Sequence, residues 1–211
     1  MRWYIVRHAQ SERNAYRESG PDAILTDIGK EQARRLGRYF HKVKIDKIYC
    51  SPMKRAKATL QEIRLFLKNK DIIYTKEMVE HCMGIYEQNG KDDWAELVTA
   101  AKNAGLPLHL FRPEKGESMQ DTYERAGKFY KSLLRKNKNK DLLLVGHGLF
   151  FLYLILNALN LPLEEGKYYQ LSNASVSTLN FDLKGRVKNF HINDYNHLIE
   201  GGMKRPIFLK S

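Results

Sequence analysis

Apolar and polar positions alternate along this chain with two different periods. Residues 3–6, Lys47–Cys50, Ile72–Tyr74 and residues 142–145 form short runs, mostly apolar, between polar stretches. Such runs are the pattern of strands buried on both faces of a parallel sheet. Helical spacing fills the gaps between them. Thr26 can cap a helix that carries Ala33, Leu36 and Phe40 at intervals of three and four. Ser51-Pro52 opens a second helix, with proline in the first turn, burying Ala56, Leu60, Ile63 and Leu67. Ser118-Met119-Gln120-Asp121 resembles a capping box with Asp in the usual Glu place, opening a helix to about Arg135. Residues 149–159 form an almost wholly apolar helix. Val176–Phe181 and residues 187–192 alternate and predict two strands joined at Lys184-Gly185.

Between about residues 76 and 116 the periodicity weakens, interrupted by Gly84, Gly90, Gly105, Pro107 and Pro113. One helix, about residues 93–103, is expected inside it. The whole pattern predicts an α/β fold: a three-layer α/β/α arrangement with a mostly parallel central sheet. One domain over 1–211 is expected, with the 76–116 segment inserted over the C-terminal edge of the sheet, where open α/β folds bind ligands.

Composition narrows the function classes. The chain has 211 residues, with 43% hydrophobic and 28% charged, the balance of a soluble globular protein. Its formal net charge is +12. That charge fits a solubilising basic surface, attraction of anionic substrates, or nucleic-acid binding. The densest basic stretch holds Lys128, Lys131, Arg135, Lys136, Lys138 and Lys140, a solvated helix face and the loop after it. No nucleic-acid motif accompanies it, so nucleic acid is not the expected partner. Cys50 and Cys82 show no paired spacing, and a strand pattern starts near the first residue, without a signal peptide. The longest apolar run is too short to span a bilayer, so no membrane association is expected and the expected location is cytoplasmic.

Candidate chemistry sits at two strand ends. Arg7-His8-Ala9 follows the first apolar run, and Gly146-His147-Gly148 follows the fourth. Together with Leu25-Thr26 and Gly29, Ser51-Pro52 with Arg55-Ala56, and Gly116-Glu117-Ser118, these occur in the order and context of the histidine phosphatase superfamily, the clan that includes the cofactor-dependent phosphoglycerate mutases. The resemblance extends over nearly the whole chain. Two departures are visible: Ala9 stands where the family usually has Gly, and Gly146 where it often has Ser.

The resemblance implies a phosphoglycerate mutase-like fold and phosphoryl transfer through a phosphohistidine. It places His8 as nucleophile, Arg7 and Arg55 as the phosphate clamp, and His147 as a second imidazole stabilising the equatorial oxygens. Asn14 would donate one more hydrogen bond to the substrate. Glu80 resembles the family's acidic position and would protonate the leaving oxygen, with Glu87 as a rival. These residue types suit phosphoryl transfer, because guanidinium groups bind phosphate bidentately, a neutral imidazole can attack, and a carboxylic acid can give up a proton. No metal cluster and no cofactor is implied. The family's mutases carry Glu-Arg-x-Tyr-Gly at the acidic position, whereas this chain has Glu80-His81-Cys82-Met83-Gly84. The expected activity is therefore that of a phosphoric monoester hydrolase of the histidine acid phosphatase type, acting on a small phosphorylated metabolite. A phosphoglycerate mutase is the alternative, as is a non-catalytic phosphate-binding or interaction protein on the same fold.

Overall fold

The computed structural model describes residues 1–16, 23–67, 71–90, 93–200 and 202–203. The elements run β1 (Arg2–Arg7), α1 (Glu12–Tyr16), α2 (Asp27–Phe40), β2 (Lys47–Cys50), α3 (Lys54–Arg64), β3 (Ile72–Tyr74), α4 (Trp94–Asn103), α5 (Met119–Lys136), β4 (Leu142–Gly146), α6 (Gly148–Ala158), β5 (Val176–Phe181), β6 (Val187–Asp194) and α7 (Asn196–Ile199). The strands form one sheet in the order β3-β2-β4-β1-β5-β6. The first four are mutually parallel, and β5 and β6 add an antiparallel flank.

Strand pleating divides the core into two layers. Trp3, Ile5, Tyr49, Leu142 and Leu144 face α5 and α6, packing on Phe129, Leu133, Phe150 and Leu154. Tyr4, Val6, Ile48, Cys50, Leu143 and Val145 face α2 and α3, packing on Leu36, Phe40, Leu60 and Ile63. The sheet is thus covered on both faces, and the three-layer α/β/α reading of the sequence holds. Helix α6 is buried almost all round, from Phe150 to Leu156, which explains why its sequence carries no amphipathic stripe.

The caps read from sequence are present. Thr26 Oγ1 accepts from the Gly29 amide at 3.0 Å. Ser118 and Asp121 form the reciprocal capping box of α5. The structure adds a cap that was not read from sequence: Asp93 at the start of α4 accepts from the Glu96 amide at 2.9 Å.

Two expectations about the second helix need correction. It starts at Lys54, so Pro52 lies before it and not in its first turn. Proline disfavours helical geometry in the residue before it, and the Ser51 hydroxyl is held by His147 instead of capping the helix. Leu67 lies beyond the helix end in a turn, where it is only partly buried against the core.

Gly29 matters to the position of the β1–α1 loop. A Cβ there would stand 1.9 Å from the Gln10 carbonyl oxygen, which accepts from the Thr26 amide at 3.1 Å. Only a residue without a side chain lets α2 abut that loop. Gly29→Ala should cost about 1–3 kcal/mol of unfolding free energy in urea, as overpacking does. An unchanged midpoint would show that the loop moves aside freely.

Candidate active site

Strands β1 and β4 pair in parallel with Arg7 opposite Gly146. The ladder continues one residue further, with the His8 amide donating to the Gly146 carbonyl at 2.8 Å. Two neighbouring strands therefore end at the same height, and each delivers its next residue, His8 and His147, to the C-terminal edge of the sheet. The two imidazole centroids lie 5.3 Å apart. Both histidines are buried.

The partners of His8 decide its tautomer. Its Nδ1 lies 2.8 Å from the Ala9 carbonyl, which can only accept, so Nδ1 carries the proton. Its Nε2 lies 3.1 Å from Arg55 Nε, which can only donate, so Nε2 keeps its lone pair. Burial, and then the charge of Arg55, His147 and Arg7, hold the His8 pKa well below the ordinary histidine value. The ring is neutral, with Nε2 next to a guanidinium.

Arg55 is buried at the start of α3, where burial pushes its pKa down to about 10. The Arg7 guanidinium donates to the Leu171 carbonyl and lies against Gly148. A Cβ on Gly148 would stand 3.2 Å from Arg7 Nε, so the glycine after His147 makes room for this arginine. His147 Nε2 lies 2.8 Å from the Ser51 hydroxyl, and burial followed by Arg55 pushes its pKa down to about 3. Arg7 Nε and His147 Nδ1 are buried without a hydrogen-bond partner among the described residues.

Glu80 is the counter-charge of the recess. Its carboxylate accepts from the amides of Leu149 at 3.2 Å and Phe150 at 3.0 Å, and from the His81 amide at 3.0 Å. It therefore caps α6, whose own N-cap residue His147 makes no side-chain cap. Burial acts to raise the Glu80 pKa; His147, the amides of Phe150 and His81, and Arg55 outweigh it and bring it to about 2. With His147 itself neutral above about pH 3, the lowering at neutral pH rests on the amides and on Arg55.

Glu87, the rival acid, forms a 2.7 Å ion pair with Arg13 in the 3-10 turn Gly84–Gly90. Asn14 sits in α1. Its Oδ1 accepts from the Ser11 amide and hydroxyl, at 3.2 and 2.9 Å, and from Asn173 Nδ2 at 3.0 Å. That leaves the Asn14 amide nitrogen as its donor. The structure thus gathers Arg7, His8, Arg55, Glu80 and His147 in one recess, and links Asn14 to it through Asn173.

Several residues of the site were not singled out in the sequence. Ser51 belongs to the Ser-Pro motif but reads there as a helix start. Asn173 Nδ2 also donates to the His8 carbonyl at 3.0 Å, from a loop that carries no local signal. Arg125, in α5 just before the basic stretch, holds the segment before Glu80. Its Nη1 donates to the carbonyls of Glu77 and Val79, at 2.8 and 3.0 Å. Its Nε and Nη2 bind Glu117 bidentately, each at 2.9 Å. Glu117 also accepts from the Thr122 hydroxyl at 3.1 Å, and that hydroxyl is 2.8 Å from His81 Nδ1. Among the described residues no group of three or more His, Cys, Asp and Glu side chains could hold a metal ion.

Two imidazoles and two guanidiniums, with the Glu80 carboxylate, thus meet at the C-terminal edge of a parallel sheet, an arrangement chemically able to hold an anion such as a phosphoryl group. The chain belongs to the histidine phosphatase superfamily (branch 1), whose family model matches residues 3–194. A Hydrogenobacter thermophilus protein named "Putative phosphoserine phosphatase 2" is 31% identical over 191 residues, covering 86% of this chain and 90% of that one. A Salmonella arizonae protein named "Probable phosphoglycerate mutase GpmB" is 29% identical over 84% of each chain. The zebrafish protein named "Probable fructose-2,6-bisphosphatase TIGAR A" is 29% identical over 144 residues, and the match spans 54% of its length. Among solved structures, the Entamoeba histolytica phosphoserine phosphatase in complex with 3-phosphoglyceric acid superposes with TM-score 0.73 at 26% identity, over 93% of this chain and 98% of that one.

Burial of neutral His147 ties stability to pH. The unfolded chain binds a proton on this residue below about pH 6.5, whereas the folded chain does so only near pH 3. Stability should therefore fall as pH drops through this window, by about 2 kcal/mol from His147 alone at pH 5. His147→Gln should lose correspondingly less between pH 7 and pH 5 in urea titrations. Equal losses in both proteins would mean that His147 takes its proton in the folded state as readily as in the unfolded one.

Proposed function

We propose that this protein is a phosphomonoesterase that hydrolyses a small phosphorylated metabolite through a phosphohistidine on His8. The observation that carries the reading is the His8 ring: Nδ1 is anchored on Ala9 and the Nε2 lone pair is directed at Arg55. A nucleophile must present a lone pair, and here a cation is already stationed where the phosphate charge would arrive.

In the first step the His8 Nε2 lone pair attacks phosphorus. The P–O ester bond breaks, and the leaving oxygen takes the proton of Glu80. Arg55 moves its donor from Nε2 to a phosphate oxygen, while Arg7 and His147 hold the others and Asn14 adds one donor. In the second step water attacks phosphorus, the Glu80 carboxylate takes its proton, and the P–N bond breaks. Inorganic phosphate leaves and His8 returns neutral.

Glu80 is an anion in the free enzyme, so it must gain its proton with the substrate. An incoming phosphate supplies the means. Its negative charge disfavours the carboxylate and draws Arg55 away, and both effects raise the Glu80 pKa. A monoanionic ester can bring the proton itself. Glu87, neutralised by Arg13, is the weaker candidate.

Two features favour hydrolysis over the mutase reaction. The position after Glu80 holds His81, buried and turned to Thr122, where the family's mutases have Arg. The relatives include proteins named for phosphoserine and sugar bisphosphate hydrolysis, next to those named as mutases.

Turnover quenched with detergent at alkaline pH should trap a base-stable phosphate that is released on acidification, absent in His8→Ala. A panel of phosphoserine, 3-phosphoglycerate and sugar phosphates should yield inorganic phosphate, with isomerisation of 3-phosphoglycerate assayed alongside. Label on serine or aspartate, or isomerisation without phosphate release, would overturn the proposal.

The general acid is tested through the leaving group. Glu80→Gln should lose roughly 10²-fold more activity on a sugar or glycerate phosphate than on p-nitrophenyl phosphate, whose phenolate departs without a proton. Glu87→Gln should show no such gap. The reverse pattern would make Glu87 the acid and leave Glu80 as the cap of α6.

A further inference from the structure

The basic stretch at the end of α5 plays no part in the site above. It lies at the opposite edge of the sheet. Strand β5 runs antiparallel to β1 with Asn180 opposite Arg2, so the β5–β6 turn stands beyond the N-terminal end of β1. His8 follows the other end, about 20 Å of strand away. Between that turn and the last turns of α5 is a cleft of about 530 Å³, within the range of small-ligand sites.

Four cations line it: Lys131, Arg135 and Lys138 from α5 and the chain after it, and Lys184 from the turn. None has an acidic partner among the described residues. The nearby carboxylate is already used: Asp182 accepts from the amides of Lys184 and Arg186 at 2.8 and 2.9 Å, and from Arg186 Nε at 3.1 Å. The negative end of the α5 dipole accounts for a cation at Arg135. It does not account for Lys131 a turn earlier, or for Lys184 on another element. The apolar part of the lining is Met1, Leu134 and Leu183, and Leu183 is 98% exposed.

We propose that this cleft binds a small polyphosphate with an apolar or aromatic body, of the nucleoside triphosphate class, at a site separate from the catalytic recess. Charges spread over two elements match several linked phosphates better than one, and three of the four are lysines, which act as point charges and not as bidentate forks. The ligand body would cover Leu183 against Leu134 and Met1. At about 530 Å³ the cleft has the size of a small-molecule site, which favours that class over a membrane surface or a duplex.

The test uses β,γ-methylene-ATP, which resists hydrolysis of its terminal phosphate, in calorimetric titrations. Lys131→Ala/Lys138→Ala/Lys184→Ala should weaken binding by at least about tenfold and leave phosphatase turnover unchanged. Arg7→Ala/Arg55→Ala should keep the binding. Inorganic tripolyphosphate should bind more weakly than the nucleotide, and Leu183→Ser should narrow that gap. Binding lost in the arginine variant but kept in the lysine variant would place the ligand in the catalytic recess and overturn the proposal. So would binding of phosphatidylserine vesicles or duplex DNA with none of the nucleotide.

Discussion

The hydrogen bond from the His8 amide to the Gly146 carbonyl is the contact on which the site depends. It extends the β1–β4 ladder past both strands, so the backbones entering the two imidazoles are locked in register before any side chain is considered. What surrounds it serves that register. Ala174 donates back to the carbonyls of Arg7 and His8, at 3.1 and 3.2 Å, and Asn173 adds a third bond to the same turn. On the other side the Ala9 amide donates to Thr59 Oγ1 at 3.0 Å, and that hydroxyl donates to the Arg55 carbonyl at 2.7 Å. The loop carrying His8 and the helix carrying Arg55 are thus joined through one threonine, which fixes the short Nε–Nε2 contact between them.

Gathering that much positive charge away from water sets the second constraint. Arg7, Arg55 and the two histidines all have pKa values lowered first by burial. The histidines answer by staying neutral; the arginines cannot. Glu80 supplies the balancing anion, and its anchorage on the α6 amides means that it does not collapse onto the guanidiniums. One carboxylate thus completes a helix and also lies close enough to Arg7 and Arg55 to offset their charge. The recess is prepared for negative charge because its own carboxylate is held to backbone donors.

Much of this was legible in the chain because it is local. A four-residue apolar run, a Thr three residues before a Gly, and a Ser-x-x-Asp box each declare their element within a few positions, and the sheet follows from their alternation. The motifs around His8, Arg55 and His147 are local too, which is why these residues could be named. Other features were invisible for the opposite reason. Glu80 caps α6 from 69 and 70 residues away. Asn173 reaches His8 across 165 positions. Helix α1 spans five residues, too few for periodicity to register. The Ser51-Pro52 pair was misassigned because its hydroxyl answers to His147, a partner that no window around it contains.

The segment between β3 and α5 is fastened at both of its ends next to Glu80. Near its start, the stretch leading to Glu80 is pinned by Arg125, which grips the carbonyls of Glu77 and Val79 and is itself fixed by Glu117 and stacked 4.9 Å above the Phe150 ring. Phe150 is the residue whose amide Glu80 binds, so a single arginine ties together the acid, the helix it caps and the helix α5 from which the arginine projects. Near its end, Gly116 and Glu117 return to the same place, with the Glu117 amide donating to the Cys82 carbonyl at 2.8 Å. The middle, including α4 with Val98 and the loop with Leu106 and Leu110, carries exposed apolar side chains and makes none of these contacts. Changes there would leave Glu80 in place, because the chain is fastened on both sides of this stretch. An ion-paired clamp thus stands between this middle stretch and the carboxylate that caps α6.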